Sequence, residues 1–547
     1  MDSLSSYRNS TQSWLTWFLR GVLLILFLVL LAKMFEVQII KGAYYRKLSE
    51  ENRVRHIPIP APRGRILARG GEALADNIKI QKRINFKTSG GYEITSDLTN
   101  ATPEEIITDY KRSYPLGAGF AHASGYLSKV NDAEINKVDP NCPERGPRES
   151  GMLVGTTGLE EQYECQLLGI PGEELIEVNT FGHKIRSIGR RDPVPGADIK
   201  TTIDYNLQTE TAREMEGKIG AAIVTEPKGQ ILAFYSGPSF DPNILIDRTD
   251  QKQISSLLNS ADLPFFNREI SGTFHPGSVF KPVVAISALQ EKAIDSKYLY
   301  NDQGVINVNT FSYSNWYFSE FGRTEGEISL IRAIARSTDT FFYKIGEMVG
   351  PDAIAKWSQK FGLDKKTGID LPGEKEGLIP TPEWKKRVTR ESWFLGNTYH
   401  MAIGQGDVSV TPIEINTYIA SIANEGILCT PHLLQKDSKC RQIEVKRENL
   451  DLVKEGMKEA CSTGGTAYTF FDFAQTHGGI QVACKTGTAE VGTDGTPHAW
   501  FTLMAPMDKP EIITTILIER GGQGSQVAGP IARKIMDFYF QGLATSN

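Results

Sequence analysis

His275-Pro276-Gly277-Ser278-Val279-Phe280-Lys281-Pro282, with the apolar run Val283 to Leu289 directly behind it, is the stretch that decides how the rest of the chain is read. Residues three apart on a helix share a face, so a Ser at a helix start and a Lys one turn on can meet in one cleft. Pro276-Gly277 supplies the break before that helix. A serine hydroxyl is a weak nucleophile until a base takes its proton, and a lysine becomes that base where a desolvated, cationic site lowers its pKa. The competing reading is a helix-capping Ser278 and a solvated Lys281, and about two S-x-x-K matches are expected by chance in a chain this long. What favours chemistry is company in order: Ser337-Thr338-Asp339 downstream, then Lys485-Thr486-Gly487-Thr488 near the end.

Both later motifs have decoys. Lys366-Thr367-Gly368 repeats K-T-G but runs into Ile369-Asp370-Leu371-Pro372-Gly373, which reads as loop, whereas Lys485 ends the strand-like run Ile480 to Cys484. Ser260-Ala261-Asp262 has the S-x-D spacing yet precedes the nucleophile. Ser337 instead follows the helical pattern Ile328 to Arg336 and precedes another from Thr340. Positions i and i+2 do not share a helix face, so a turn between two helices is what lets Ser337 and Asp339 converge.

Composition narrows the function classes. The chain has 547 residues, 40% of them apolar, and a net charge of -5. That length predicts several domain-sized units, and without a basic excess no nucleic-acid partner is expected. The eight His are scattered without an H-E-x-x-H, and Cys429-x-x-His432 is one isolated half-site, so neither a metal nor a cofactor is expected. The six Cys read equally as free thiols or as one or two disulfides.

In chain order, residues 1–13 form a short polar segment, and the apolar run from Trp14 through Ala32 suits a bilayer core. Lys33-Met34-Phe35-Glu36 follows where a cleaved signal would need small residues, which predicts an uncleaved anchor over 14–35. Val37, Ile40, Tyr44 and Leu48 at helix spacing continue it as an amphipathic helix. Beyond the proline-broken His56 to Pro62, a mixed region holds a loop at Ser89-Gly90-Gly91 and a helix over Thr102 to Tyr110, opened by Thr102-Pro103-Glu104-Glu105. Pro193 to Gly196 marks a boundary before a strand at Ile199 to Ile203. A hairpin (Ala221 to Val224, Ile231 to Phe234) precedes the helical middle, and strands at Val482 to Thr488, Ala499 to Leu503 and Ile512 to Ile518 lead to a helix from Pro530 to Tyr539. The pattern predicts an α+β domain with one antiparallel sheet made from both ends and flanked by helices.

With these motifs in place, the chain resembles the class B penicillin-binding proteins, and within that class the elongation subfamily. The match runs through Ala61-Pro62-Arg63-Gly64-Arg65-Ile66, Leu74-Ala75-Asp76-Asn77, Gly158-Leu159-Glu160 with Tyr163-Glu164, Arg112 to Gly117, His122 to Ser128, Ala402-Ile403-Gly404-Gln405-Gly406, Thr411-Pro412 and His498-Ala499-Trp500-Phe501. The resemblance implies a multidomain α+β protein: cytoplasmic segment 1–13, transmembrane anchor 14–35, pedestal 36–192 and transpeptidase domain 193–547. It implies that Ser278 is acylated by a peptidoglycan stem peptide ending in D-Ala-D-Ala, with Lys281 as base. Ser337 and Asp339 would complete the proton network, Lys485, Thr486, Gly487 and Thr488 would hold the substrate carboxylate, and the N–H groups of Ser278 and Thr488 would form the oxyanion hole. β-Lactam antibiotics would be inhibitors, and a SEDS-family glycan polymerase with elongation-complex membrane proteins would be partners. A periplasmic catalytic domain follows from that chemistry, against the positive-inside rule, since Arg8 and Arg20 are outnumbered by Lys33, Lys41, Arg46 and Lys47.

Two departures qualify the resemblance. Relatives can carry Asp, His and Cys zinc ligands before the second motif, but Ile334 stands three before Ser337 with Asn315-Trp316 upstream, so no metal is carried over. The head between Asn77 and Tyr114 is shorter than the head subdomain usual in the family. A β-lactamase or penicillin sensor is the rival function, and a septal division enzyme the rival role. A class A hydrolase needs a water-positioning Glu, and Glu414-Ile415-Asn416 has the wrong spacing for it. Asp339, where division enzymes have Asn, favours elongation. Cys484 is expected to be a buried, inert thiol pointing away from Lys485.

Overall fold

The computed structural model describes residues 10–86, 92–179, 184–247, 250–492 and 495–544. The expected loop at Ser89-Gly90-Gly91 and residues 1–9 of the polar segment lie outside the described residues. By packing, the chain divides into two compact units: Met1–Pro62 with Lys79–Tyr110 and Gly169–Pro195, and Arg63–Ile78 with Lys111–Leu168 and Gly196–Asn547.

In the first unit, helix Ser10–Phe35 runs through a π turn, Glu36–Ile40, and a second helix, Gly42–Arg53, follows. The span Trp14–Ile40 has 27 residues. At about 1.5 Å per residue, such a length exceeds the roughly 30 Å of a bilayer's hydrocarbon core. None of it is buried by protein. Strand Val54–Ile59 pairs antiparallel with Gly172–Val178, which pairs with Lys184–Arg191. A small core of Ile57, Ile84, Ile176 and Val178 lies in this unit.

The helix expected at Thr102 to Tyr110 is a correction. The cap forms, with Thr102 N–H donating to Glu105 at 3.1 Å, but it opens only a 3-10 turn, Pro103–Glu105. The chain then enters strand Ile106–Ser113. Ile106-Ile107-Thr108 are three β-branched residues in a row, whose stiff side chains favour a pleated surface over a helix.

The second unit is built on a five-stranded antiparallel sheet. Its order is Ile231–Gly237, Gly220–Thr225, Ile512–Ile518, Gly495–Ala505, Ala483–Val491, so the two N-terminal strands join the three C-terminal ones through Gly220–Thr225 and Ile512–Ile518. Strand alternation sends neighbours to opposite faces. Ala483 and Trp500 join the core under the helical middle, which includes helices Lys281–Gln290 and Pro412–Ala423, while Cys484 and Phe501 join the core beneath the closing helix Ala528–Ala544. The strand expected at Ile199 to Ile203 is only Ile199–Lys200.

All six Cys are paired, as Cys142–Cys165, Cys429–Cys440 and Cys461–Cys484. This corrects the expectation of at most two bridges and of a free Cys484 thiol. Cys484 does point away from Lys485, toward the closing-helix core, and there it meets Cys461 just past helix Arg447–Ala460.

Several residues of the resemblance converge on one buried ion cluster in this unit. Glu160, fully buried, accepts from Arg63 Nε at 2.6 Å, Arg112 Nε at 2.7 Å and the Tyr114 hydroxyl at 3.2 Å. Arg63 also pairs with Glu164. Arg112 donates to Gly64 O at 2.8 Å, and Asn77 Nδ2 donates to Arg63 O at 2.6 Å. Burial alone would raise the Glu160 carboxyl, but the charges of Arg63 and Arg112 hold it below its ordinary value.

Candidate active site

Ser278 lies in the 3-10 turn Gly277–Phe280, which feeds helix Lys281–Gln290. Gly277 has φ 55°, and a Cβ there would lie 2.7 Å from Thr488 O, so only glycine lets the turn press against the edge strand. Gly277 N–H donates to Gly404 O at 2.9 Å, which is how the Ala402 to Gly406 stretch braces the turn. A Cβ at Gly487 would lie 3.0 Å from Val279 and 3.1 Å from Pro276 O, so the K-T-G glycine serves the same close approach. The indole of Trp500 donates to His275 O at 2.9 Å.

The second motif is a turn between two helices, Leu330–Arg336 and Asp339–Val349. Ser337 occupies it with φ 56° and ψ 38°, an uncommon conformation for a non-glycine residue. That geometry points its groups at Lys281. Lys281 Nζ donates to Ser337 O at 2.8 Å, Ser337 Oγ at 3.2 Å and Asp339 Oδ1 at 2.6 Å. Lys485 Nζ donates to the same Ser337 Oγ at 2.9 Å and to Thr486 O at 3.0 Å. The Ser337 oxygen thus accepts from two lysines, which leaves its own proton directed elsewhere.

Both lysines are fully buried. Burial lowers the Lys281 pKa, with Asp339 opposing. Lys485 is pushed well below its ordinary value by burial and then by the charge of Lys281, again with Asp339 opposing. Two cations share one carboxylate in a desolvated pocket, the condition under which an ammonium gives up its proton.

Four of the expected residues, Lys281, Ser337, Asp339 and Lys485, therefore form one hydrogen-bonded group. Ser278, half-buried, lies in the turn that leads directly into Lys281. Its hydroxyl makes no hydrogen bond to any described residue. The Thr486 hydroxyl donates to Thr466 at 2.9 Å, and Thr488, exposed, accepts from Gly524 N–H at 3.4 Å. The decoy Thr367 is occupied, its N–H and hydroxyl both donating to Glu374. Glu414, raised to about 7 by burial, spends its carboxylate on the N–H groups of Thr411, Asp364 and Gly377 and so caps a helix. Sequence reasoning missed Asp302 and Asn315, which stand behind Asp339. Asp302 ends strand Leu299–Asp302 and Asn315 occupies the cap position of helix Trp316–Phe321, and neither belongs to one of the three motifs.

A serine on a helix-start turn, two buried lysines and an S-x-D turn on an antiparallel sheet define a serine acyltransferase of the penicillin-recognising type. The transpeptidase domain of penicillin-binding proteins matches residues 220–537, and the penicillin-binding protein dimerisation domain matches residues 80–201. The chain belongs to the penicillin-binding protein transpeptidase family. It is 30% identical to the peptidoglycan D,D-transpeptidase MrdA of Acinetobacter baumannii, over 95% of this chain and 86% of that one. Penicillin-binding protein 2 (PBP2) of Helicobacter pylori, solved in complex with MreC, superposes with a TM-score of 0.76 at 26% identity, covering 90% of this chain and 99% of that one. A structure described as coordinating polymerization and crosslinking in a peptidoglycan synthase complex gives a TM-score of 0.75 at 26% identity, over 97% of this chain and 98% of that one.

Proposed function

We propose that this chain is a peptidoglycan D,D-transpeptidase that cross-links stem peptides during cell-wall elongation and is inhibited by β-lactams. The observation that carries the reading is the buried Lys281–Asp339–Ser337–Lys485 group set against the Ser278 turn. Neutral Lys281 takes the Ser278 proton as Oγ attacks the carbonyl of the penultimate D-Ala. The N–H groups of Ser278 and Thr488 receive the developing oxyanion, an arrangement worth a few kcal/mol in acyl transfer. The proton passes by way of Lys281 and the Ser337 hydroxyl to the departing D-Ala amine, leaving an ester on Ser278. Lys485, with Thr486, Gly487 and Thr488, holds the terminal carboxylate through N–H and hydroxyl donors, and the arriving carboxylate itself favours the protonated form of Lys485. An amine of a second stem peptide then attacks the ester, returning the proton to Ser278 and closing a 4,3-type link.

Residues 14–35 serve as a single-pass anchor, with 1–13 cytoplasmic, 36–192 as pedestal and 193–547 as the transpeptidase domain. The matches at 80–201 and 220–537 support a division in that region. Three disulfides, one in the pedestal and two in the transpeptidase domain, support exposure of both to an oxidising compartment outside the inner membrane, the orientation that the flanking charges oppose. Elongation-complex membrane proteins such as MreC and a SEDS-family polymerase are the partners, a reading supported by the two assemblies above.

Ser278→Ala is expected to abolish the covalent adduct with labelled penicillin in a folded protein, and an adduct at unchanged level would sink the assignment. Depletion is expected to round or swell cells, whereas filaments lacking septa would assign the protein to division.

A further inference from the structure

Behind Asp339 lies a second, fully buried layer of polar groups. Asp302, the last residue of strand Leu299–Asp302, is 2% exposed, and Asn315, in the cap position of helix Trp316–Phe321, is 0% exposed. Asp302 Oδ1 accepts from the Thr340 hydroxyl at 2.6 Å and from Gly304 N–H at 2.9 Å. Its Oδ2 accepts from Glu325 N–H at 2.9 Å and from Asn315 Nδ2 at 3.3 Å. Asn315 Oδ1 in turn accepts the backbone N–H of Asp339 at 3.1 Å, and the next residue, Trp316, donates its N–H to Asp339 Oδ2 at 3.0 Å.

This chain of bonds has one direction. A carboxylate offers only acceptors and a backbone N–H only a donor, so the Asn315 amide satisfies both neighbours in a single orientation. An apolar residue, or an aspartate facing Asp302, could not make both bonds. The layer fixes the Asp339 backbone through Asn315 and its far carboxylate oxygen through Trp316, which leaves Oδ1 alone to face Lys281. The groups around the Lys281 ammonium are then Asp339, the Ser337 oxygens, Lys485 across Ser337, and the Phe342 ring at 5.2 Å.

We infer that Asn315, oriented by Asp302, is a positioning residue for acylation: it anchors the Asp339 backbone, so that the carboxylate stays aimed at Lys281 and Lys281 in turn at its target. The inference rests on reading Lys281 as the base. Loosening Asp339 removes part of the anionic stabilisation of the ammonium, so the acid limb of the acylation rate moves to lower pH. The plateau falls at the same time because the amine is no longer aimed. A purely structural role would lower thermal stability and yield but leave the limb where it was.

The test measures the pH dependence of the second-order acylation rate of the full chain by labelled penicillin. Asn315→Ala is expected to lower the plateau about tenfold, less than the roughly hundredfold cost of a 1 Å misplacement, and to shift the acid limb down by about half a pH unit or more. Thr340→Val, which removes one donor from Asp302 and keeps the side-chain shape, is expected to shift it in the same direction by less, and it decides the matter if Asn315→Ala does not fold. An acid limb that stays in place or moves up overturns the inference, whatever the plateau does. Lys281→Ala is the separate arm: an adduct formed at the normal rate would remove the base assignment itself.

Discussion

The second unit buries two networks of opposite charges, and they are built differently. Around Glu160 the cations are arginines: Arg63 and Arg112 face Glu160 and Glu164, two charges against two, fixed by paired hydrogen bonds. Around Ser337 the cations are lysines: Lys281 pairs with Asp339, Lys485 reaches only the Ser337 hydroxyl, and Asp339 is the one carboxylate in the group. A guanidinium keeps its proton at any working pH, while an ammonium surrendered to burial does not. The first network is permanent and balanced, and the second has one positive charge too many and can shed it. The same fold thus uses the choice between Arg and Lys to separate a fastener from a reagent.

The sharpest way to break this contrast is to exchange the cations. Lys281→Arg puts a charge that cannot be lost where a base is needed, and penicillin acylation is expected to fall at least about a thousandfold while the melting temperature changes little. Acylation restored to within tenfold would show that proton transfer does not run through this position.

Next in size, Glu160→Gln leaves Arg63 and Arg112 without their shared anion, and the loss is expected at about 3–5 kcal/mol in denaturant unfolding. The protein that remains folded should still label normally. The pH dependence has a definite sign. Because the folded Glu160 carboxyl titrates below its ordinary value of 4.5, its stabilising contribution is complete above that value and is lost as pH falls below it. Glu160→Gln should therefore flatten the acid side of the stability curve.

Arg112→Lys is the reciprocal exchange and is expected to cost about 1–2 kcal/mol, since a point charge replaces a planar fork that binds Glu160 and Gly64 together. A neutral effect in thermal unfolding would show that charge alone, without the fork, suffices there. Smallest of all, acylation by the unaltered protein should rise with pH along a limb whose midpoint lies below 10.5, the ordinary lysine value, because burial lowers Lys281. A limb at or above that value would contradict the desolvated-base reading.

How far these networks were legible in the sequence follows from what fixes them. The S-x-x-K, S-x-D and K-T-G residues are read by spacing and order, and the sheet strands by runs of apolar and β-branched residues bounded by turns, so Ala483–Val491, Gly495–Ala505 and Ile512–Ile518 fall close to where they are expected. The expected turn between two helices at Ser337 also holds. Arg63, Arg112, Glu160 and Glu164 stand out in the family resemblance, yet nothing local says that residues 48 positions apart share one ion cluster. Asp302 and Asn315 look like turn residues because their burial is decided wholly by tertiary packing. Thr102-Pro103-Glu104-Glu105 misleads because a helix cap reports a start and not a length. The disulfides join residues 11 or 23 apart, among too many allowed pairings for spacing to choose.

The sheet assembled from both ends of its domain sets a timetable for synthesis. Gly220–Thr225 leaves the ribosome early, but its partner Ile512–Ile518 is made only after the whole helical middle. At roughly 5–20 residues per second, that separation amounts to about 15–60 s during which one side of Gly220–Thr225 has no strand to pair with. The wait coincides with the making of Lys281, Ser337 and Asp339, and Lys485 arrives only with the late strands. A nascent chain therefore carries its nucleophile long before it has a cleft, and it becomes competent to react in one step, when the last three strands close against the first two.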